Sequence, residues 1–67
     1  MIARFIERQG VKPQKGMKVL VWWNGFNSQY ECCAAETASS WECRHCDAWM
    51  IEKVDGMNVT LKQVEGR

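Results

Sequence analysis

Four cysteines lie between residues 32 and 46 of this 67-residue chain and constrain its fold more than any other feature. Cys43 and Cys46 form a Cys-Arg-His-Cys tetrapeptide, whereas Cys32 and Cys33 are adjacent. A chain of this length buries little apolar surface, and small domains usually add disulfides, a metal ion or a partner chain. Only 13 residues are Val, Ile, Leu or Phe, so we expect the cysteines to supplement a thin core.

The apolar segments of the chain bear on its location. No N-terminal apolar run is long enough for a signal peptide, and no stretch approaches the 18 apolar residues of a membrane span. We therefore expect a single small domain over residues 1–67, in a cytoplasmic (intracellular) location without a membrane partner. Intracellular thiols stay reduced, and there a Cys-x-x-Cys pair is typical of metal or redox sites.

The cysteine spacing predicts a structural zinc site. Zinc prefers four thiolate or imidazole ligands in a tetrahedron, and a closed set makes the ion structural. We expect the ligands to be Cys32, Cys33, Cys43 and Cys46, with His45 as a substitute ligand. Neighbouring strand residues point to opposite faces, so Cys32 and Cys33 reach one ion only if the strand breaks at Cys33.

The segment from Met17 to Cys33 is predicted to form a β-hairpin. Its apolar residues alternate, and Asn24-Gly25 is the dipeptide most typical of a tight type I′ turn. That turn would place Cys32 on the same face as Val19, with Cys33 on the other face. It predicts three cross-strand pairs: Trp23 with Phe26, Val19 with Tyr30, and Lys18 with Glu31.

The two ends of the chain predict further elements. Asp55-Gly56 separates two strand-like segments, 49–54 and 57–64, and indicates a second hairpin. Ile2, Phe5 and Ile6 have helical spacing and predict a short N-terminal helix, with a strand through residues 2–7 as the alternative.

Residues 41–54 allow two interpretations. Ser39 and Glu42 fit a helix capping box, whereas the Cys-x-x-Cys between two tryptophans is typical of a metal knuckle between strands. We favour the knuckle. The predicted fold is mostly β (small α+β), with two hairpins around a cysteine cluster; the alternative is a ββαβ arrangement with a helix at about residues 40–54.

Two segments resemble known families. Gly16-x-x-Val19-x-Val21-x-Trp23-x-Gly25 followed by Tyr30 resembles the opening hairpin of SH3-like barrels of the Tudor and KOW types. Residues 41–49 look like a single zinc-ribbon or rubredoxin-like knuckle. The first resemblance implies that hairpin aromatics bind a peptide, a modified side chain or RNA; the residues concerned are Trp22, Trp23, Phe26 and Tyr30.

Function is predicted only as a class. The chain has no Gly-rich phosphate loop and no nucleophile elbow, so we expect a non-enzymatic binding or regulatory module. With a net charge of +1 and four tryptophans, a protein partner is the first expectation. One alternative is a nucleic-acid module using Lys12, Lys15 and Lys18; another is a thiol redox protein using Cys43 and Cys46. The sequence leaves the oligomeric state open.

Overall fold

Strands dominate the computed structural model, which describes residues 1–64 of the chain. Within these residues the structure has five strands, and a single turn of 3₁₀ helix (Ala35–Thr37) is followed by a short helix, α1 (Ser40–His45). The strands are β1 (Ile2–Phe5), β2 (Lys18–Asn24), β3 (Gln29–Ala34), β4 (Asp47–Asp55) and β5 (Asn58–Gln63). The prediction of a mostly β fold is confirmed.

The strands form a closed barrel in the order β1-β3-β2-β4-β5. β1 completes the circle, because it runs parallel to β3 on one side and antiparallel to β5 on the other. The predicted arrangement of two hairpins around a cysteine cluster is not confirmed: the antiparallel pairs β2–β3 and β4–β5 are instead joined into one sheet that closes around an apolar core.

The predicted N-terminal helix is wrong, and a strand occupies these residues. Ala3 and Phe5 are 1% exposed, whereas the alternating residues Ile2 and Arg4 face outward. This alternation is the period of a strand. The helical spacing of Ile2, Phe5 and Ile6 is coincidental, because Ile2 is 66% exposed and does not share a buried face with Phe5.

The β2–β3 loop is longer than the predicted two-residue turn. Residues 25–28 connect the strands, and Asn24 pairs with Gln29. Each β2 residue therefore pairs with a β3 residue four positions later in the sequence than predicted: Val19 pairs with Ala34 and not with Tyr30. The left-handed conformation falls on Ser28 (φ 51°) and not on Gly25. An even shift leaves every side chain on its predicted face.

The core contains Cys32 but not Cys33, as the alternation predicted. Buried side chains from all five strands form it: Ala3, Phe5, Val19, Val21, Cys32, Ala34, Ile51, Val59 and Leu61. Cys33 is also buried, yet it belongs to the opposite face of β3.

The favoured knuckle between two strands is wrong for residues 41–46, which belong to a helix and its cap, and only the strand that follows them is present. The capping box forms, with the Ser39 hydroxyl accepting from the Glu42 N–H and the Glu42 carboxylate accepting from the Ser39 N–H. The helix ends at His45, and β4 begins at Asp47. Cys43 is therefore helical, and the knuckle between two strands does not form. In residues 1–64, no helix has the length and apolar character required to cross a membrane.

Candidate functional site

All four tryptophans of the chain line one open groove of about 470 Å³. We call it the aromatic groove, and its lining residues are Met1, Val21, Trp22, Trp23, Tyr30, Trp41, His45, Cys46, Asp47 and Trp49. They come from the start of the chain, from β2, β3 and β4, and from α1. Ligand sites are commonly concave and lined by aromatic side chains with a few polar groups.

The β2–β3 hairpin supplies one wall of the aromatic groove. Trp23 and Tyr30 are directly paired. Trp23 lies two positions after the core residue Val21, and Tyr30 lies two positions before the core residue Cys32, so both continue the inward-facing rows beyond the core. Their rings make an edge-to-face contact with centroids 5.0 Å apart. Trp23 is 56% exposed and Tyr30 is 41% exposed, so both rings are available to a ligand.

The helix α1 supplies another wall. Trp41 and His45 are four residues apart and therefore share one helix face. Their rings stack with centroids 4.6 Å apart and an interplanar angle of 20°, and His45 Nδ1 lies 3.0 Å from the Trp41 carbonyl oxygen. Trp41 is 60% exposed. The capping box at Ser39 sets where this helix begins.

A buried carboxylate fixes Trp22 and the hairpin loop. Glu31 Oε1 accepts hydrogen bonds from Trp22 Nε1 (3.3 Å) and Asn24 Nδ2 (3.0 Å). Its Oε2 accepts from Asn27 Nδ2 (3.1 Å) and Gln29 Nε2 (3.2 Å). Hydrogen bonds to the ionised form, with that from Asn24 the largest cause, hold the pKa of Glu31 below its ordinary value.

An ion pair joins the β1–β2 connection to α1. Arg8 Nη1 and Nη2 donate to the two carboxylate oxygens of Glu42 at 2.7 and 2.9 Å, and the guanidinium carbon lies 5.6 Å from the centre of the Trp22 ring. Hydrogen bonds from Arg8 and then from the Ser39 backbone lower the pKa of Glu42 to about 2. Arg8 thereby links the helical wall of the groove to Trp22.

Asp47 supplies the carboxylate of the aromatic groove. It is exposed at the start of β4, opposite Val21. Within residues 1–64 it makes no salt bridge, and the groove lining in that part of the chain includes no lysine or arginine. The groove therefore combines aromatic surface with a carboxylate that no lysine or arginine of residues 1–64 pairs.

The lysines predicted to bind nucleic acid lie elsewhere. Lys12 pairs with Glu7 at 3.2 Å. Lys15 and Lys18 line a separate hollow that also includes Glu36. Lys18 begins β2, whereas Trp23 lies five residues later, a distance of roughly 17 Å along an extended strand. None of these three lysines is among the residues that line the aromatic groove.

The structure does not support the predicted zinc site. β3 continues through Ala34, so the strand break that Cys32 and Cys33 would need is not present. Burial raises the pKa of the Cys32 thiol to about 12, so this thiol is protonated in the structure. Cys43 is exposed on α1. Among residues 1–64, no three His, Cys, Asp or Glu side chains are grouped to hold a metal ion, and zinc stays a prediction.

The thiol redox alternative gains no support from the second cysteine of the pair. Burial is the first cause that raises the pKa of Cys46, followed by the charges of Glu42 and Asp47. A reactive thiolate needs the opposite shift. Cys46 instead caps the C-terminal end of α1 and lines the aromatic groove.

Three of the four aromatic residues predicted to bind a partner lie together in the groove, and their binding role stays a prediction. Trp22, Trp23 and Tyr30 line it, whereas Phe26 is fully exposed at the loop and does not. The missed residues are Trp41, Trp49 and Asp47. The spacing of Trp41 and His45, combined with the capping box, was a signal that could have placed this pair on one helix face.

Comparison with known proteins found no matching family model, no similar curated protein and no similar solved structure. The barrel agrees with the SH3-like resemblance only in its general architecture, and both family resemblances stay predictions. The aromatic groove is therefore interpreted from its own geometry.

Proposed function

We propose that this protein is a non-enzymatic binding module that holds a segment of a protein partner in the aromatic groove. The observation that supports this most directly is the convergence of all four tryptophans on one open groove. Trp23 and Trp41 remain more than half exposed there. Tryptophan and tyrosine dominate the binding energy of protein interfaces because their large rigid rings lose little entropy on binding.

The position of the charges favours a protein over a nucleic acid. Single-stranded nucleic acids bind where stacking rings lie beside a basic track for the phosphates. Here the carboxylate of Asp47 lines the aromatic groove, whereas Lys15 and Lys18 line a different hollow. A phosphate backbone in the groove would meet a negative charge.

A selection from a random peptide library tests the proposal. Peptides selected on the wild-type protein are measured by calorimetry against two single variants. Trp41→Ala removes an exposed groove ring and should weaken binding at least about tenfold, as expected for a hot-spot residue. Phe26→Ala is the matched control, because Phe26 is fully exposed but outside the groove, and it should leave the affinity unchanged.

Two outcomes would overturn the proposal. One is that Trp41→Ala binds the selected peptides as tightly as the wild type while melting normally. The other is that a thymine oligonucleotide binds more tightly than any peptide, with an affinity that falls steeply between about 50 and 200 mM salt. The second outcome would establish the nucleic-acid alternative.

A further inference from the structure

The carboxylate of Asp47, which has no salt-bridge partner among the described residues 1–64, restricts what can fill the aromatic groove. A purely apolar segment lying over Asp47 would take its charge out of water without a partner, and burying an unpaired carboxylate is costly. An anionic segment would add repulsion. Neutral donors can satisfy a carboxylate, as they do at Glu31, but a ligand with a positive charge both neutralises Asp47 and packs on the rings.

The molecule already contains one positive charge that contacts both an indole ring and a carboxylate. The guanidinium of Arg8 lies over the Trp22 ring at 5.6 Å and forms two hydrogen bonds with the carboxylate of Glu42. The planar guanidinium suits this geometry, since its face packs on an aromatic ring while its edge pairs with a carboxylate. The aromatic groove presents the same two elements, exposed indole rings and the carboxylate of Asp47, without an arginine or lysine of the described residues 1–64 between them.

We infer that the aromatic groove binds an arginine side chain of the protein partner, with the guanidinium packed on the indole rings and paired with Asp47. This inference rests on the proposed function and specifies the chemistry of its ligand. Trp23 and Trp41 provide the most exposed rings.

The test compares two small probes that differ in charge. Acetyl-arginine amide and acetyl-citrulline amide have nearly the same shape, but citrulline is neutral. Each is titrated into ¹⁵N-labelled protein, and the indole N–H signals of the tryptophans are followed by NMR. We expect the arginine probe to shift these signals and the citrulline probe to bind at least about fivefold more weakly, because the cation–π and charge-pair contacts are lost.

Variants of the carboxylate complete the test. Asp47→Asn should weaken binding of the arginine probe about five- to tenfold, because a charge-assisted pair becomes a neutral hydrogen bond. Asp47→Glu keeps the charge and should restore most of the affinity. Asp55→Asn is the matched control, since Asp55 is exposed on the same strand but does not line the groove.

The outcomes distinguish this inference from the proposed function. Equal binding of the two probes, no shift of the indole signals by the arginine probe, or an unchanged affinity in Asp47→Asn, would overturn the arginine inference. If the peptides selected from the library still require Trp41, the groove remains a peptide site and only its ligand chemistry is wrong. If Trp41→Ala has no effect on those peptides, both proposals fail.

Discussion

Glu42 shows how much of the groove depends on one side chain. Its carboxylate accepts two hydrogen bonds from Arg8 and one from the Ser39 N–H, so it fixes the start of α1 and ties the helix to the β1–β2 connection. The helix carries Trp41, and Arg8 covers Trp22. A substitution at Glu42 therefore alters two walls of the groove, although it leaves the Trp41 and Trp22 side chains themselves unchanged.

We expect Glu42→Gln to lower the free energy of unfolding by about 1 kcal/mol at neutral pH, because the ion pair with Arg8 is lost. Glu42→Ala should cost about 1 kcal/mol more, since the hydrogen bond from the Ser39 N–H is lost as well. Urea denaturation measures both changes. Glu52→Gln, on the exposed side of β4, is the control and should have little effect.

The effect of Glu42→Gln should depend on pH in a defined direction. The pKa of Glu42 falls from an ordinary value of 4.5 to about 2 on folding. A lowered carboxyl pKa stabilises the fold above the unfolded value, and this stabilisation is lost as the pH falls through the folded value. The wild type should thus lose its advantage over Glu42→Gln between about pH 4.5 and pH 2; a difference that stays constant over this range would contradict the assignment.

At the scale of the elements, the β2–β3 loop shows what local sequence can and cannot determine. Asn24-Gly25 predicts a two-residue turn, but the Asn24 side chain accepts hydrogen bonds from the N–H groups of Phe26 (2.9 Å) and Asn27 (3.3 Å). These bonds favour a four-residue loop, and Ser28 takes the left-handed conformation at its end. The register depends on such side-chain contacts, which the dipeptide alone does not encode.

The backbone angles give a direct test of this loop. Ser28→Gly should stabilise the protein by about 0.5 kcal/mol, because its φ of 51° strains a residue with a Cβ. Gly56→Ala should destabilise it by about 1 kcal/mol, because φ there is 65°. Gly25→Ala should be nearly neutral, since its new Cβ would lie 3.9 Å from Trp23 Nε1. Melting curves check all three.

The outcome at Gly25 separates the two possible turns. Under the two-residue turn predicted from the sequence, Gly25 would need a positive φ and alanine would be as harmful there as at Gly56. A loss at Gly25 equal to that at Gly56, together with no gain at Ser28, would show that the four-residue loop is wrong.

Other elements were predictable to different degrees. The capping residues Ser39 and Glu42 correctly located the start of α1, because a cap is a local interaction. The end of α1 at His45 was not predictable, because helical apolar spacing continues into residues 47–55, which form β4. Those residues pair with both β2 and β5, and this long-range pairing overrides the local helical pattern.

At the scale of the whole molecule, β1 decides whether the sheet closes. It lies between β3 and β5, so the barrel has no free edge at this position. Phe5 is 1% exposed and is among the largest buried side chains. A closed barrel was not predictable from the sequence, because pairings between distant strands leave no local pattern.

We expect Phe5→Ala to lower the free energy of unfolding by about 3 to 4 kcal/mol, since it leaves a cavity in the core. This loss is a large part of the total free energy of unfolding, which is roughly 3 to 10 kcal/mol for a domain of 67 residues. Ile2→Ala, on the same strand but 66% exposed, is the control and should cost less than about 0.5 kcal/mol.

Urea denaturation of these two variants tests the role of β1 in the barrel. Unfolding of Phe5→Ala should remain a single transition at a lower urea concentration. A separate first step that releases β1 and leaves the other strands folded would show that closure is not required for the rest of the sheet.

The pairing of Ile2 with Thr60 also has a kinetic consequence. Of the five strands in residues 1–64, β1 leaves the ribosome first, yet one of its two neighbours, β5, leaves last. The nascent chain must therefore hold an unpaired strand edge until nearly all of the domain has emerged. Such distant contacts slow folding, and we expect refolding in milliseconds to seconds, slower than a helical domain of equal length.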